Sequence, residues 1–266
     1  MAPVMASDRV TAHMRTLRRG ADGPYATVEI HDRVDSTNAQ ARRDPVPWRV
    51  VVAEEQTAGR GRLDRGWTTD AGLALAVSVV VPTPEEPTWV PLAAGLAVHR
   101  AVADVCDVAT VLKWPNDVLV PSDGQRKLAG ILCELIPGAV IVGTGVNVNQ
   151  ARDALPLDSA TSLRASGAGE VDRERLLAAY LVHLAQLHTA CADTAAGREM
   201  RAAYAAACST IGRDVTVERP GGQSVAMRAT GLDRWGRLVG QARDGAHVVV
   251  PAGDVIHIRP SSSRQE

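Results

Sequence analysis

Residues 109–147, ATVLKWPNDVLVPSDGQRKLAGILCELIPGAVIVGTGVN, decide the fold. Short runs rich in Val, Ile and Leu, broken by Pro and Gly, predict strands at 109–113, 117–120, 128–136 and 139–147. The last two are separated by a Pro-Gly turn. Upstream, Leu92, Leu96, Val98, Val102 and Val105 give 88–105 a helical apolar spacing. Before it come a buried strand at 73–81, a strand at 49–55, and an alternating strand through Ala26, Val28, Ile30 and Val34. Asp35-Ser36-Thr37-Asn38 offers caps for a helix starting near Ala39. Downstream, 170–209 is rich in Ala and Leu without internal proline and reads as one or two amphipathic helices. From Ile211 to Ile258 short strands return, parted by turns at Pro220-Gly221-Gly222, Asp233–Gly236 and Asp244-Gly245. The expectation is an α+β protein: a mixed β-sheet flanked by helices over 26–209, then a small β-barrel over 210–262. Residues 1–25 read as a polar, irregular segment too short for a helix-turn-helix domain.

The chain has 266 residues, enough for a full core and a small second domain. A net charge of -1 argues against non-specific binding to nucleic acid or an anionic membrane. Arg9, Arg15, Arg18 and Arg19 occur without an apolar core segment, so the start does not read as a signal peptide. The longest apolar run, Leu73 to Val81, stops at Pro82 and is too short to span a membrane. Cys106, Cys133, Cys191 and Cys208 are scattered, as in a reduced cytoplasmic protein without a cysteine metal site. Lysine occurs only at Lys113 and Lys127 among 29 cationic residues, and phenylalanine is absent. Asparagine occurs only at 38, 116, 147 and 149. Such a bias marks the remaining lysines and asparagines as places where arginine or another residue does not serve.

Those residues fall in motifs. QTAGRGRLDRGW at 56–67 combines Gly59 and Gly61, which let amides face an anion, with Arg60, Arg62 and Arg65 as charge-assisted donors. Trp67 adds a flat face for a base. The loop lacks the Walker spacing and equally reads as a solvated basic loop. In LKWPND at 112–117, Pro115 fixes a turn that projects Lys113, Asn116 and Asp117 from a strand end. RKLAGIL at 126–132 places Lys127 at the start of an apolar strand, with Ala129-Gly130 permitting close approach of a ligand. In GTGVNVN at 143–149 the asparagines end an apolar strand, where turn formation is the ordinary reading.

Taken in order, DSTN, QTAGRGR with RGW, KWPND, KLAGIL and GVNV resemble the biotin–protein ligase family. The resemblance runs from about Asp35 to Arg164, and GDVIHIR at 253–259 also fits. Asp64 departs from it, standing where such loops usually carry glycine or a basic residue. The resemblance implies a class II synthetase/lipoate-ligase-like catalytic domain with a C-terminal SH3-like barrel, in a short form without an N-terminal DNA-binding domain. It implies adenylation of biotin by ATP, with Mg2+, followed by transfer to a lysine of a biotin carboxyl carrier protein domain of a biotin-dependent carboxylase. Ser36, Thr37, Asn38 and Gln56 would then hold the ureido end of biotin. Arg60, Gly61 and Arg62 would close over carboxylate and phosphate, with Lys127 at the reacting oxygens. Lys113 and Arg65 would neutralise pyrophosphate, and Trp67, Asn116 and Asn147 would contact adenine. Asp117 would orient or deprotonate the acceptor amine, or else be a structural carboxylate paired to Lys113 or Arg62. Lipoate or octanoate ligation and a biotin-sensing, DNA-binding regulator are the alternatives; the polar DSTN/Gln set and the charge balance argue against them.

Overall fold

The computed structural model describes residues 4–17, 23–62, 65–67, 71–192, 194–218, 223–251 and 254–257. Asp64, the turn at 220–222 and much of the 253–259 motif lie outside them. Seven strands form one sheet in the order β1-β2-β3-β7-β6-β5-β4. They are β1 (Thr27–Val34), β2 (Arg49–Gln56), β3 (Ala74–Pro82), β4 (Val111–Lys113), β5 (Asp117–Val120), β6 (Arg126–Ile136) and β7 (Ala139–Asn147). Only β1 and β2 pair in parallel, so the sheet is mixed. The segment that decided the fold supplies β4 to β7 as a meander. β3 and β7 lie at the centre and are buried along almost their whole length. This is why their sequences read as continuous apolar runs and not as alternation.

Helices cover both faces. α3 (Val90–Val105) and α4 (Arg173–Thr189) pack on one, where Val50, Val52, Val77, Val79 and Val142 form the main core with them. α2 (Thr37–Arg43) packs on the other through Ala41, against Val51, Val80 and Ile141. α5 (Ala195–Ala207) leads to a five-stranded antiparallel sheet, ordered β11-β10-β9-β8-β12. Its strands are β8 (Asp214–Glu218), β9 (Ser224–Leu232), β10 (Leu238–Ala242), β11 (His247–Val250) and β12 (Asp254–His257), the small SH3-like unit expected at this end. Two indoles of the larger domain donate to its β9–β10 hairpin: Trp89 Nε1 to Arg234 O at 2.8 Å and Trp114 Nε1 to Gly236 O at 2.9 Å.

The irregular N-terminal segment is a correction. Ser7–Leu17 form a helix, α1. It buries Val10 and Met14, four apart on one face, and packs on α4. Glu54 accepts a bond from Met5 N at 2.8 Å, and Glu174 accepts from Ala6 N at 2.6 Å and Arg9 Nε at 2.7 Å. A two-residue apolar stripe is too narrow to announce a helix; carboxylates far along the chain complete it. α2 also starts earlier than expected, at Thr37, and Ser36 makes no side-chain cap. Gln56 Oε1 instead accepts from Thr37 N at 2.9 Å, satisfying one of the amides that a helix start leaves open.

Candidate functional site

The cavity lies on the α2 face of the sheet, and its floor follows from register. Ala76 of β3, Gly145 of β7 and Gly130 of β6 stand side by side, and Ser78, Gly143 and Leu132 form the next row. The first row has almost no side chains, and the indole of Trp67 lies directly on it. A Cβ added at Gly145 would meet Trp67 Cε2 at 2.3 Å, and one at Gly130 would meet the same ring at 3.5 Å. Trp67 Nε1 is buried there without a hydrogen-bond partner. In the second row a Cβ at Gly143 would meet Asn38 Oδ1 at 2.3 Å. The absent side chains at Gly130 and Gly145 leave room for Trp67, and that at Gly143 leaves room for Asn38.

Ser36, Thr37 and Asn38 enter from the start of α2, and Gln56 from the end of β2. The glycine–arginine loop folds over them: Trp67 N bonds Gly59 O at 2.9 Å, and Gly61 N bonds Arg65 O at 2.7 Å. Arg60, Gly61 and Arg62 line the cavity. Arg62 Nη1 donates to Asn116 Oδ1 at 3.0 Å, joining this loop to the KWPND turn. Asn116 is held in turn by Nδ2 donating to Ile131 O at 3.1 Å.

A β-bulge aims Lys127. Gly130 pairs with Asp117 and Ala129 with Val118, but Lys127 pairs with Leu119, which leaves Leu128 as an extra residue in β6. A one-residue insertion switches every side chain beyond it to the other face. Lys127 therefore shares a face with Gly130, where its Nζ would be 3.0 Å from an added Cβ, and it lies 5.9 Å from the Trp67 ring centroid. Its ammonium pairs with Asp117 Oδ1 at 2.6 Å. The main chain is held too, Lys127 N to Ser159 O and Thr161 N to Lys127 O, each 2.8 Å.

Of the residues singled out in the sequence, Ser36, Thr37, Asn38, Gln56, Arg60, Gly61, Arg62, Trp67, Asn116 and Lys127 surround one cavity. Lys113, Arg65 and Asn147 do not line it. The buried Asn147 amide donates instead to Thr161 O at 2.9 Å, so it braces the loop that brackets Lys127. The Asp117 carboxylate is paired with Lys127, where the sequence suggests Lys113 or Arg62 as its structural partner. Ser78, Glu134 and Thr144 were missed. Only Ser78 left a sequence signal, as the one hydroxyl in the run 73–81. The four cysteines are free, and burial raises the thiol pKa of each, to about 12 for Cys191, so none is an activated nucleophile.

The cavity holds about 50 Å³ of water-accessible space between Trp67, Arg60 and Arg62 and the glycine floor. A second cleft of about 510 Å³ adjoins it across Arg62, Asn116 and Ile131, and reaches Trp235 and Arg237 on the small domain's hairpin. Among the described residues the one His/Asp/Glu group close enough to share a metal ion is His13, Asp172 and Glu174, at the α1–α4 contact. No described helix is long and apolar enough to cross a membrane.

Residues 31–150 match the biotin/lipoate A/B protein ligase family, and 210–258 match the biotin protein ligase C-terminal domain. The biotin--[acetyl-CoA-carboxylase] ligase of Mycobacterium tuberculosis is 40% identical over 252 residues, covering 90% of this chain and 92% of the relative. The Paracoccus denitrificans ligase of the same name is 34% identical, over 84% of this chain and 97% of its own. Among solved structures, the Aquifex aeolicus biotin protein ligase in complex with biotin and ATP superposes with a TM-score of 0.76 at 26% identity. That match covers 88% of this chain and all of the other.

Proposed function

The chain belongs to the biotin protein ligase family, and from that premise we propose that its cavity joins biotin to AMP and then passes biotin to a lysine of a carrier protein. The observation that carries this is the convergence on one glycine-paved floor of a polar head-group set (Ser36, Thr37, Asn38, Gln56) with a cationic set (Arg60, Arg62, Lys127). The first suits a cyclic urea and the second a carboxylate meeting a phosphate. A carboxylate oxygen is a poor leaving group, so amide formation needs the mixed anhydride biotinyl-5'-AMP. In its formation the biotin carboxylate attacks the α-phosphorus of ATP and pyrophosphate leaves. Lys127 and Arg62 stabilise the charge on the reacting oxygens, electrostatic help that is worth about 3–4 kcal/mol per well-placed donor. Trp67 and Asn116 meet adenine; Arg65 and Lys113, which stand outside the cavity lining, would meet the phosphates only as they depart from it. Magnesium would enter with the nucleotide and offset the charge of its phosphates.

The Asp117–Lys127 pair links the two half-reactions. When phosphate oxygens draw the ammonium away, the carboxylate loses its partner. It is then positioned to take the proton of an acceptor lysine, whose amine is otherwise protonated below a pKa of about 10.4. The acceptor is the carrier domain of a biotin-dependent carboxylase, approaching in the cytoplasm through the cleft beside Trp235 and Arg237. The test is biotin-dependent ATP–pyrophosphate exchange, followed by transfer of labelled biotin to a carrier domain. Exchange driven by octanoate or lipoate, and not by biotin, would overturn the assignment of the acid.

A further inference from the structure

β3 is apolar from Ala74 to Pro82 except at Ser78, which is fully buried. A buried hydroxyl is costly unless it is bonded, and this one has two partners, Asn38 Oδ1 at 2.6 Å and Thr37 Oγ1 at 2.7 Å. The protons of this array are assigned by elimination. Asn38 Nδ2 faces two groups that only accept, Glu134 Oε1 at 2.8 Å and Leu132 O at 3.3 Å, so the amide orientation is fixed. Arg42 pairs with the other oxygen of Glu134 and holds that carboxylate in place. Asn38 Oδ1 can then only accept, and the single Ser78 proton goes to it. The short Ser78–Thr37 contact is consequently made with the proton of Thr37. Gln56 Oε1, which accepts from Thr37 N at 2.9 Å, is a second acceptor for the same hydroxyl at 3.1 Å, so the Thr37 proton is taken up within this array. Thr37 is left presenting lone pairs, and not a proton, to the cavity.

We infer that Ser78 and Glu134 are positioning residues that set the donor–acceptor polarity of the head-group end and so select an acid bearing N–H groups. The inference rests on the ligase reading above and concerns how that site discriminates. A cyclic urea offers N–H to the waiting Thr37 oxygen; a hydrocarbon acid of similar length leaves that oxygen desolvated without a partner. Sites built to bond a polar group reject analogues lacking it far better than apolar pockets reject an extra group. Without Ser78, the Thr37 hydroxyl loses its 2.7 Å partner and turns toward Gln56 Oε1, so its lone pairs leave their set direction, and Asn38 loses its restraint. Ser78→Ala should raise the KM for biotin about tenfold, leave kcat and the KM for ATP within about twofold, and cut the biotin-over-octanoate preference about tenfold. Ser78→Cys, retaining a weak donor of similar shape, should recover part of the affinity. Glu134→Ala breaks the same chain from its outer end and serves should Ser78→Ala fold poorly. An unchanged biotin KM in a folded Ser78→Ala or Glu134→Ala protein would overturn the inference. So would kcat, both KM values and melting temperature worsening together, which is what plain structural damage gives. Wild-type protein without biotin-dependent exchange would overturn the ligase reading itself.

Discussion

Alanine at Gly145 should lift Trp67 from the sheet, and the displacement follows from the coordinates. The added Cβ falls 2.3 Å from Cε2 and 2.6 Å from Cζ2 and Nε1 of the indole. Ordinary carbon contacts lie at about 3.5–4.0 Å, so the ring has to move by about 1.2–1.7 Å. The backbone does not resist, because Gly145 is not at positive φ. A misplacement of about 1 Å can cost on the order of a hundredfold in rate. If Trp67 carries the base, Gly145→Ala should raise the KM for ATP and slow exchange by ten- to a hundredfold, roughly. The KM for biotin should change less. Gly143→Ala, one row along β7, is the paired control: its Cβ meets Asn38, so its main effect belongs on biotin. The assay is pyrophosphate exchange with each substrate varied in turn, alongside thermal melting. Wild-type kinetics in a folded Gly145→Ala protein, or a pattern in which Gly145→Ala affects biotin and Gly143→Ala affects ATP, would refute the reasoning.

Lys127→Arg should fold normally yet lose adenylation by about a hundredfold, because a planar fork replaces a compact ammonium beside the reacting oxygens; near-normal exchange would remove Lys127 from that role. Arg62→Gly should still make the adenylate but release it about ten- to a hundredfold faster, read as biotin appearing on bystander serum albumin. Labelling of albumin no greater than with wild type would show that Arg62 does not retain the intermediate. Burial holds His99 and His188 below the ordinary value of 6.5, the neighbouring Arg100 adding to the effect at His99. The unfolded chain then takes up protons more readily, so this stability is present above about pH 6.5 and is lost as pH falls below it. Melting temperature should drop from pH 7.5 to 5.5, and less steeply in His188→Gln; equal slopes would exclude His188 as a source.

What the sequence made readable depends on how local each signal is. The meander from Val111 to Asn147 was legible because each strand is short, apolar and bounded by Pro or Gly. Most cavity residues were legible because they sit in compact motifs at strand ends and in one loop. α1 was not, since its partners Glu54 and Glu174 come from distant parts of the chain. The bulge at Leu128 was not either: consecutive apolar residues look the same whether a strand is regular or carries an extra residue, yet this one decides the face on which Lys127 appears. Asn147 looked like a ligand contact because it ends a motif, but its amide satisfies a buried carbonyl of the loop at 159–161. Ser78 gave only a faint sign, a lone hydroxyl whose meaning depends on α2 crossing above it.

The two indole bonds to the β9–β10 hairpin bear on how the molecule moves as a whole. Trp89 stands beside the start of α3, and Trp114 at the KWPND turn, so the small domain is latched at two separate points of the large one. A swinging appendage would tumble on its own timescale and melt in a transition of its own. This one should share its rotational correlation time with the catalytic sheet and unfold with it in one cooperative step. Cutting the chain near residue 210 should then yield two fragments that stay associated. The turn that carries Lys113, Asn116 and Asp117 is also one of the latch points, so a pull on the small domain is passed to that turn through the Trp114 bond.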